Sequence, residues 1–280
     1  LFTGRANLDR AYTAGVDNGG LNQLSVDMAH RCGSLLLERF RGPVSGLETK
    51  STPIDLVSDA DRDSEALLLE TLARERPDDA VLGEETGASR GSSGLRWVLD
   101  PLDGTTNFLY GFPVWAVSIA VEDADGWVSA VVYDPTRDET FAATRGGGAT
   151  LNGEAITVSD SLVPERALVG TGFSYGAEAR VVQARAVDSL LTRVRDVRRA
   201  GSAALDLAWV AAGRLDAFYE VPLKIWDRAA GELLVTEAGG VISQLEPIAG
   251  SDDSGVFASS PDLHGPLEVL VSAALTSPAL

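Results

Sequence analysis

The chain predicts a mixed α/β fold in which sheets and helices stack in layers, and three observations carry that prediction. Amphipathic helical patterns and short β-like runs interleave from residue 21 onward in this chain of 280 residues. They do so without the strict βαβ repeat of a doubly wound sheet. Apolar residues make up 45% of the chain, ample for a substantial core. No internal repeat or low-complexity linker divides it. We therefore expect one compact unit over residues 21–280, made of two intimately packed subdomains that meet near 150–165.

Residues 1–20 are rich in Gly, Asn and Thr and are expected to form a mobile tail. Residues 21–41 read as an amphipathic helix, with Leu24, Met28, Leu35, Leu36 and Phe40 as its apolar points and Gly42-Pro43 as its stop. A second helix follows Ser58, runs through Glu65, Leu68 and Leu72 to Arg76, and is stopped by Pro77. Strand-like runs come next at 80–83, 96–99, 114–121 and 127–133. Asn152-Gly153 between two apolar runs is a strong hairpin signal. The second half alternates: strand at 167–170, helix at 179–195, strand at 196–199, helix at 202–212, strand at 216–219 and helix at 227–238. Strands at 240–243 and 255–258 and a terminal helix complete the chain.

Composition excludes several classes of function. With 23 basic against 41 acidic residues the formal charge is −18. Such a surface repels a phosphate backbone, so nucleic acid is not an expected partner. A small anionic substrate faces the same repulsion unless bound cations invert the local field. The one basic cluster, Arg193, Arg195, Arg198 and Arg199, has no interleaved aromatics and reads as a solvated face or a dimer rim. Cys32 is alone and sits in a helical pattern, which predicts a buried, inert thiol. His30 and His264 have no partners at zinc-ligand spacing. No apolar run approaches the roughly 18–20 residues of a membrane span. The first residues lack the charged-then-apolar order of a signal peptide, so the expected location is cytoplasmic.

Three short acidic strings carry the chemistry: Gly83-Glu84-Glu85, Asp100 to Phe108 (Asp-Pro-Leu-Asp-Gly-Thr-Thr-Asn-Phe), and Trp226-Asp227-Arg228-Ala229-Ala230-Gly231. The middle string places Asp100 and Asp103 three apart at a strand end, on what reads as a tight turn. Pro101 fixes one dihedral, and Gly104 permits close approach of backbone to ligand. Both carboxylates can then face one point, with the Leu102 carbonyl as a third oxygen donor. Hard divalent cations prefer such oxygens. Thr105 and Thr106 follow at a possible helix start, which suits phosphate. The same string also reads as an ordinary surface turn, Glu84-Glu85 as a solvated turn, and Asp227 as a plain helix cap.

Taken together and in order, these strings resemble the inositol monophosphatase family of magnesium-dependent, lithium-sensitive phosphatases. Lys50, Asp55 through Asp61, the run Gly201 to Leu207, and Gly239-Gly240 extend the resemblance over roughly residues 21–275. It implies a layered α-β-α-β-α sandwich of the fructose-1,6-bisphosphatase type, a homodimer, and two or three Mg²⁺ ions per site. Glu84, Asp100 and the Leu102 carbonyl look like ligands of a first ion, and Asp100, Asp103 and Asp227 of a second. Glu84 also looks able to help hold a third. Asp61 looks like the partner of Thr105 beside an attacking water. Gly104, Thr105 and Thr106 would hold phosphate.

The resemblance implies hydrolysis of a small phosphorylated polyol or sugar by metal-activated water, with no covalent phosphoenzyme. Glu220 matches a glutamate that accepts hydrogen bonds from ring hydroxyls, and Gly201, Ser202 and Ala203 match the wall beside the ring. That favours myo-inositol 1-phosphate. Histidinol phosphate is the nearest alternative, followed by fructose 1,6-bisphosphate and a 3′-phosphonucleotide. Lys224 and Arg228 depart from the usual run and either alter selectivity or are merely exposed. A non-enzymatic reading also stands, a dimeric regulatory partner with a relic metal site.

Overall fold

The computed structural model describes residues 17–50, 52 and 56–276. The expected mobile tail lies outside them up to Val16, and its end is corrected. Asp17 accepts from Gly20 N–H at 3.1 Å, and Asn18, Gly19 and Gly20 form the first turn of α1 (Asn18–Arg39). Two short strands, β1 (Glu48–Thr49) and β2 (Leu56–Val57), pair antiparallel and lead into α2 (Asp59–Glu75). Ser58 starts α2: its Oγ accepts from Ala60 N–H, and Asp61 accepts from Ser58 N–H at 2.8 Å. This reciprocal cap satisfies donors that a helix start leaves orphaned.

The first sheet has eight strands: β3 (Ala80–Gly83), β4 (Gly87–Ser89), β5 (Arg96–Asp103), β6 (Ala116–Asp123), β7 (Gly126–Asp134), β8 (Glu139–Thr144), β9 (Gly148–Leu151) and β10 (Glu154–Ala155). Their order is β10-β9-β8-β7-β6-β5-β3-β4, antiparallel except for the β3–β5 pair. A short helix, α3 (Thr105–Leu109), follows β5. The second sheet holds β11 (Leu168–Thr171), β12 (Asp196–Arg198), β13 (Ala217–Glu220), β14 (Val241–Leu245) and β15 (Gly255–Ser259), in the order β12-β11-β13-β15-β14. Its helices are α4 (Ala177–Leu191), α5 (Ala203–Ala211), α6 (Ile225–Glu237) and α7 (Pro261–Thr276).

Successive strand residues point to opposite faces, and each face of each sheet is covered. Trp97, Leu99, Val117 and Ile119 pack with Met28 and Leu36 of α1 and Leu68 and Leu72 of α2. Their neighbours Val98, Ala116 and Ala120 face Leu205 and Leu207 of α5 and Ala230 and Leu234 of α6. The same two helices meet Phe218, Val256 and Ala258 of the second sheet. Val169, Ala217, Tyr219 and Phe257 on that sheet's outer face pack with Leu190 of α4 and Leu263 and Leu267 of α7. The layers run helix, sheet, helix, sheet, helix, which is the α-β-α-β-α sandwich that the resemblance implies.

Two departures from the sequence expectations shape the site. Where the sequence predicts a turn at Asp100 to Asp103, β5 continues through both acids. Its pairing with β6 shifts register between them, Asp100 facing Ser118 and Asp103 facing Ala116. Pro101, which has no N–H to donate, fits the interrupted ladder. Helix α6 begins at Ile225 rather than at Asp227, so Asp227 sits inside the first turn and not at the cap.

Candidate active site

Four elements deliver the acids. Asp61 comes from the first turn of α2 and is buried, 1% exposed. Its Oδ2 is occupied by Ser58 N–H and Ser58 Oγ, at 2.8 and 2.7 Å. Its Oδ1 accepts from Thr105 Oγ1 at 2.8 Å. Thr105 opens α3 directly after Gly104, whose positive φ of 96° is what turns the chain out of β5. The Thr105 hydroxyl also lies 3.1 Å from the Leu102 carbonyl oxygen. Thr106 Oγ1, one residue on, is buried and has no partner among the described residues. A buried unpaired hydroxyl is costly unless a ligand satisfies it.

Asp100 is buried at 2% exposure, with its Oδ1 accepting from Leu102 N–H at 3.1 Å. Asp103 reaches across to the second half of the molecule. Its Oδ2 accepts from Ser202 Oγ at 2.5 Å and from Ala204 N–H at 2.7 Å, at the start of α5. Asp227 Oδ2 accepts from Lys224 N–H at 2.7 Å. Glu84 stands at the end of β3, beside the parallel β5. Lys50 Nζ donates to Glu84 at 2.7 Å and to Glu85 at 2.5 Å.

Burial and mutual repulsion act together on these groups. Burial, then the fields of Glu84 and Asp103, push Asp100 well above the usual carboxyl range. Burial and the charges of Glu84 and Asp103 do the same to Asp227. Burial lifts Glu84 to about 7 against the pull of Lys50. It lifts Asp103 to about 6 even though Ser202 and the α5 amides hold its charged form. Burial works against the Lys50 ammonium, but Glu84 and Glu85 outweigh it and raise its pKa. Four carboxyl groups thus sit in one another's field, with one lysine among them.

This donor set fits a hard divalent cation. Every available ligand is a carboxylate or carbonyl oxygen. Burial first, and repulsion where it adds, disfavour the charged carboxylates, and a bound cation offsets both. Among the described residues no three His, Cys, Asp or Glu side chains already close around a point as a ready-made cage. Glu84 is instead ion-paired with Lys50 at 2.7 Å. Glu84, Asp100, Asp103 and Asp227, with the Leu102 carbonyl, are the groups that would hold the ions.

The other wall comes from the second sheet. Asn107 Nδ2 donates to Val114 O at 2.8 Å and to Ala200 O at 2.9 Å, tying α3 to the turn before α5. Gly201 has a positive φ of 95° and lies so close to Asn107 and Arg199 that a Cβ there would overlap both. Ser202 caps α5, its Oγ accepting from Leu205 N–H at 3.3 Å, and Ala203 is the first residue of that helix. Glu220 ends β13, half-buried, and burial raises its carboxyl to about 8 while Arg199 opposes the shift. Gly172 makes room for it, since a Cβ there would overlap the Glu220 carboxylate.

Several expectations need adjusting. Arg193, Arg195, Arg198 and Arg199 are exposed, yet Arg199 folds back over the Phe173 ring at 5.8 Å and acts on Asp103 and Glu220. Lys224 is tied to Asp253 at 2.6 Å, and Arg228 pairs with Glu232, which accepts from Trp127 Nε1 at 2.9 Å. Arg228 is thus neither exposed nor aimed at the Glu220 wall. Asp55 lies outside the described residues. Cys32 is buried, and burial pushes its thiol up to about 12. His264 is buried between Ser243 and Ser259, at 2.6 and 3.0 Å. The sequence gives no role to the Lys50 ammonium, to Gly172 or to Arg199; their work depends on contacts made across distant segments.

A layered α/β sandwich with an oxygen-lined acidic centre and a hydroxyl-bearing helix start defines a protein of the phosphatase class. The chain belongs to the inositol monophosphatase family, whose model matches residues 19–272. It is 43% identical over 228 residues to the "Nus factor SuhB" of Xylella fastidiosa, covering 80% of this chain and 81% of that protein. It is 42% identical over 232 residues to the "Inositol-1-monophosphatase" of Mesorhizobium japonicum, covering 81% and 86%. The crystal structure of extragenic suppressor protein suhB from Bartonella henselae superposes with a TM-score of 0.83 at 35% identity, covering 93% of this chain and all of that one. Proteins of this family are generally metal-dependent. Among the described residues, no helix is long and apolar enough to cross a membrane.

Proposed function

We propose that the chain is a Mg²⁺-dependent phosphomonoesterase acting on a small polyol or sugar phosphate, with myo-inositol 1-phosphate as the favoured substrate. The observation that carries this is the Asp61–Thr105 hydrogen bond of 2.8 Å set beside Glu84, Asp100, Asp103 and Asp227. Ions held by those four acids and the Leu102 carbonyl would supply a more acidic water and neutralise phosphate charge. The chain's own residues do the rest. Ser58 locks Asp61, and Asp61 accepts the hydrogen bond of the Thr105 hydroxyl, which leaves the lone pairs of the Thr105 oxygen free to accept from a water and orient it for in-line attack. The unpartnered Thr106 hydroxyl and the Gly104–Thr106 amides hold the phosphate. Glu220 accepts from ring hydroxyls, while Gly201, Ser202 and Ala203 shape the wall beside the ring.

The Mesorhizobium relative named as an inositol-1-monophosphatase supports this substrate. Histidinol phosphate, fructose 1,6-bisphosphate and a 3′-phosphonucleotide remain the competing substrates. A cytoplasmic homodimer that engages neither nucleic acid nor membrane is part of the same proposal. A second reading has its own support, since the 43% identical relative is named a Nus factor. On that reading the chain acts by association and its acids are a relic. The raised pKa values of four retained acids favour catalysis, because buried like charges with no function are costly. Phosphate release on the four substrates, with and without Mg²⁺, decides between these readings. Turnover on inositol 1-phosphate supports the proposal, and no Mg²⁺-dependent turnover on any of them supports the regulatory one.

A further inference from the structure

Glu65 is completely buried, and no basic side chain forms an ion pair with it among the described residues. A buried carboxylate is expensive unless its oxygens are fully hydrogen-bonded. Its partners here are the turn that carries Glu84. Oε2 accepts from Glu85 N–H at 2.8 Å, and Oε1 accepts from Thr86 N–H at 2.8 Å and from the Thr86 hydroxyl. Two consecutive amides on two oxygens fix the orientations of the peptide planes on either side of Glu85. The first of those planes is the one that leaves Glu84.

Glu84 is therefore held from both sides. On its N-terminal side Gly83 pairs with Leu99 of β5, one residue from Asp100. On its C-terminal side stands the Glu65 clamp. The clamp also explains Gly83, because a Cβ at that position would lie 2.4 Å from Glu65 Oε1. Glu65 lies one helical turn after Asp61, so both project from the same face of α2. One rigid helix thus sets Thr105 through Asp61 and sets the Glu84 turn through Glu65.

We propose that Glu65 is a positioning residue that presents Glu84 to the metal-binding centre; this rests on the metal-dependent reading above. It does not touch the ion or the substrate. It fixes the backbone of the residue that would, and outer partners of ligands are commonly as consequential as the ligands. The charge matters as well as the shape. A glutamine keeps one acceptor oxygen but sets an NH₂ against a backbone N–H, so one of the two amides loses its partner.

The test is Mn²⁺ binding to the full chain, read by the electron paramagnetic resonance signal of free Mn²⁺, together with cooperative thermal melting. Wild type should bind Mn²⁺; if it does not, the metal-dependent reading itself fails. With wild type binding, Glu65→Gln should keep a cooperative melt and bind Mn²⁺ about tenfold or more weakly. The Mg²⁺ concentration for half-maximal activity should rise by a similar factor, with a smaller change in rate at saturation. The exposed Glu70→Gln serves as control and should match wild type. Wild-type Mn²⁺ affinity in a folded Glu65→Gln would overturn the proposal. Should Glu65→Gln not fold, Thr86→Val removes only the hydroxyl donor. It should weaken Mn²⁺ binding several-fold, and unchanged affinity there would equally overturn the proposal.

Discussion

On the first sheet's side of the site, each acid has a fixed partner. Asp61 is held by Ser58 and Thr105, Asp100 by the Leu102 amide, and Glu84 by Lys50. On the second sheet's side, no hydrogen bond holds the Glu220 carboxylate among the described residues, and Arg199 reaches it only through its field from an exposed position over Phe173. Asp103 joins the two sides through Ser202 and Ala204. The difference teaches a division of labour. On the proposed function, the half assigned to the reaction is the preorganised one, as expected where reacting atoms tolerate little misplacement. The half that the same proposal assigns to substrate recognition is left with unspent hydrogen-bonding capacity, which a hydroxylated ligand would satisfy.

The largest effect expected on that division is at the residue that spans it. Asp103→Asn should lower turnover on inositol 1-phosphate by on the order of 10³-fold, since a charged ligand is replaced by a neutral one. Its melting temperature should stay within a few degrees of wild type, because the amide oxygen can still accept from Ala204 N–H. Retained turnover would contradict its metal role. Thr105→Val comes next. Losing the hydroxyl on the preorganised side should cost about 10²-fold in turnover, with little change in substrate affinity. A loss confined to KM would move Thr105 to the binding side of the comparison.

Glu220→Gln should act on selectivity instead. Roughly a tenfold loss on inositol 1-phosphate is expected against a much smaller loss on β-glycerophosphate. Equal losses on both would refute the division of labour.

The smallest effect is on stability, and its sign follows from the Glu220 shift. Its carboxyl is raised from the ordinary 4.5 to about 8 in the folded protein. Protonation therefore favours the fold, and the associated stability is fully present below 4.5 and lost as pH rises towards 8. Glu220→Gln removes that dependence. The variant should be more stable than wild type at pH 8, by about 1 kcal/mol in unfolding free energy after allowing for partial exposure, and the gap should close towards pH 5. A gap that does not change with pH would mean that the carboxyl is not strained at its site.

Local signals were legible where local chemistry decides. Asn152 and Gly153 adopt the positive φ angles, 50° and 85°, that a two-residue hairpin turn requires, and β9 and β10 flank them. Ser58 caps α2, and residues 80–83 form β3. Glu84, Asp100, Asp103 and Asp227 stand out in the three acidic strings, whereas Asp61 and Glu220 enter only through the family resemblance. Their setting was not legible, because it depends on partners far along the chain. Pro101 and Gly104 signal a turn locally, yet pairing with β6 carries β5 through to Asp103. Strand β8 was missed at 139–144, where two small alanines and an acid blur the alternation. Glu65 looks like any helical glutamate until the β3–β4 turn is folded against it. Arg199 looks like one of a solvated group until Phe173 is placed beneath it.

Phosphate release from myo-inositol 1-phosphate by the purified wild-type chain, titrated with Mg²⁺, tests the central claim most directly. The account predicts saturable dependence on Mg²⁺, activity abolished by a chelator, and recovery when the ion is restored. No release at any Mg²⁺ concentration, from this or any other small phosphomonoester, would contradict it.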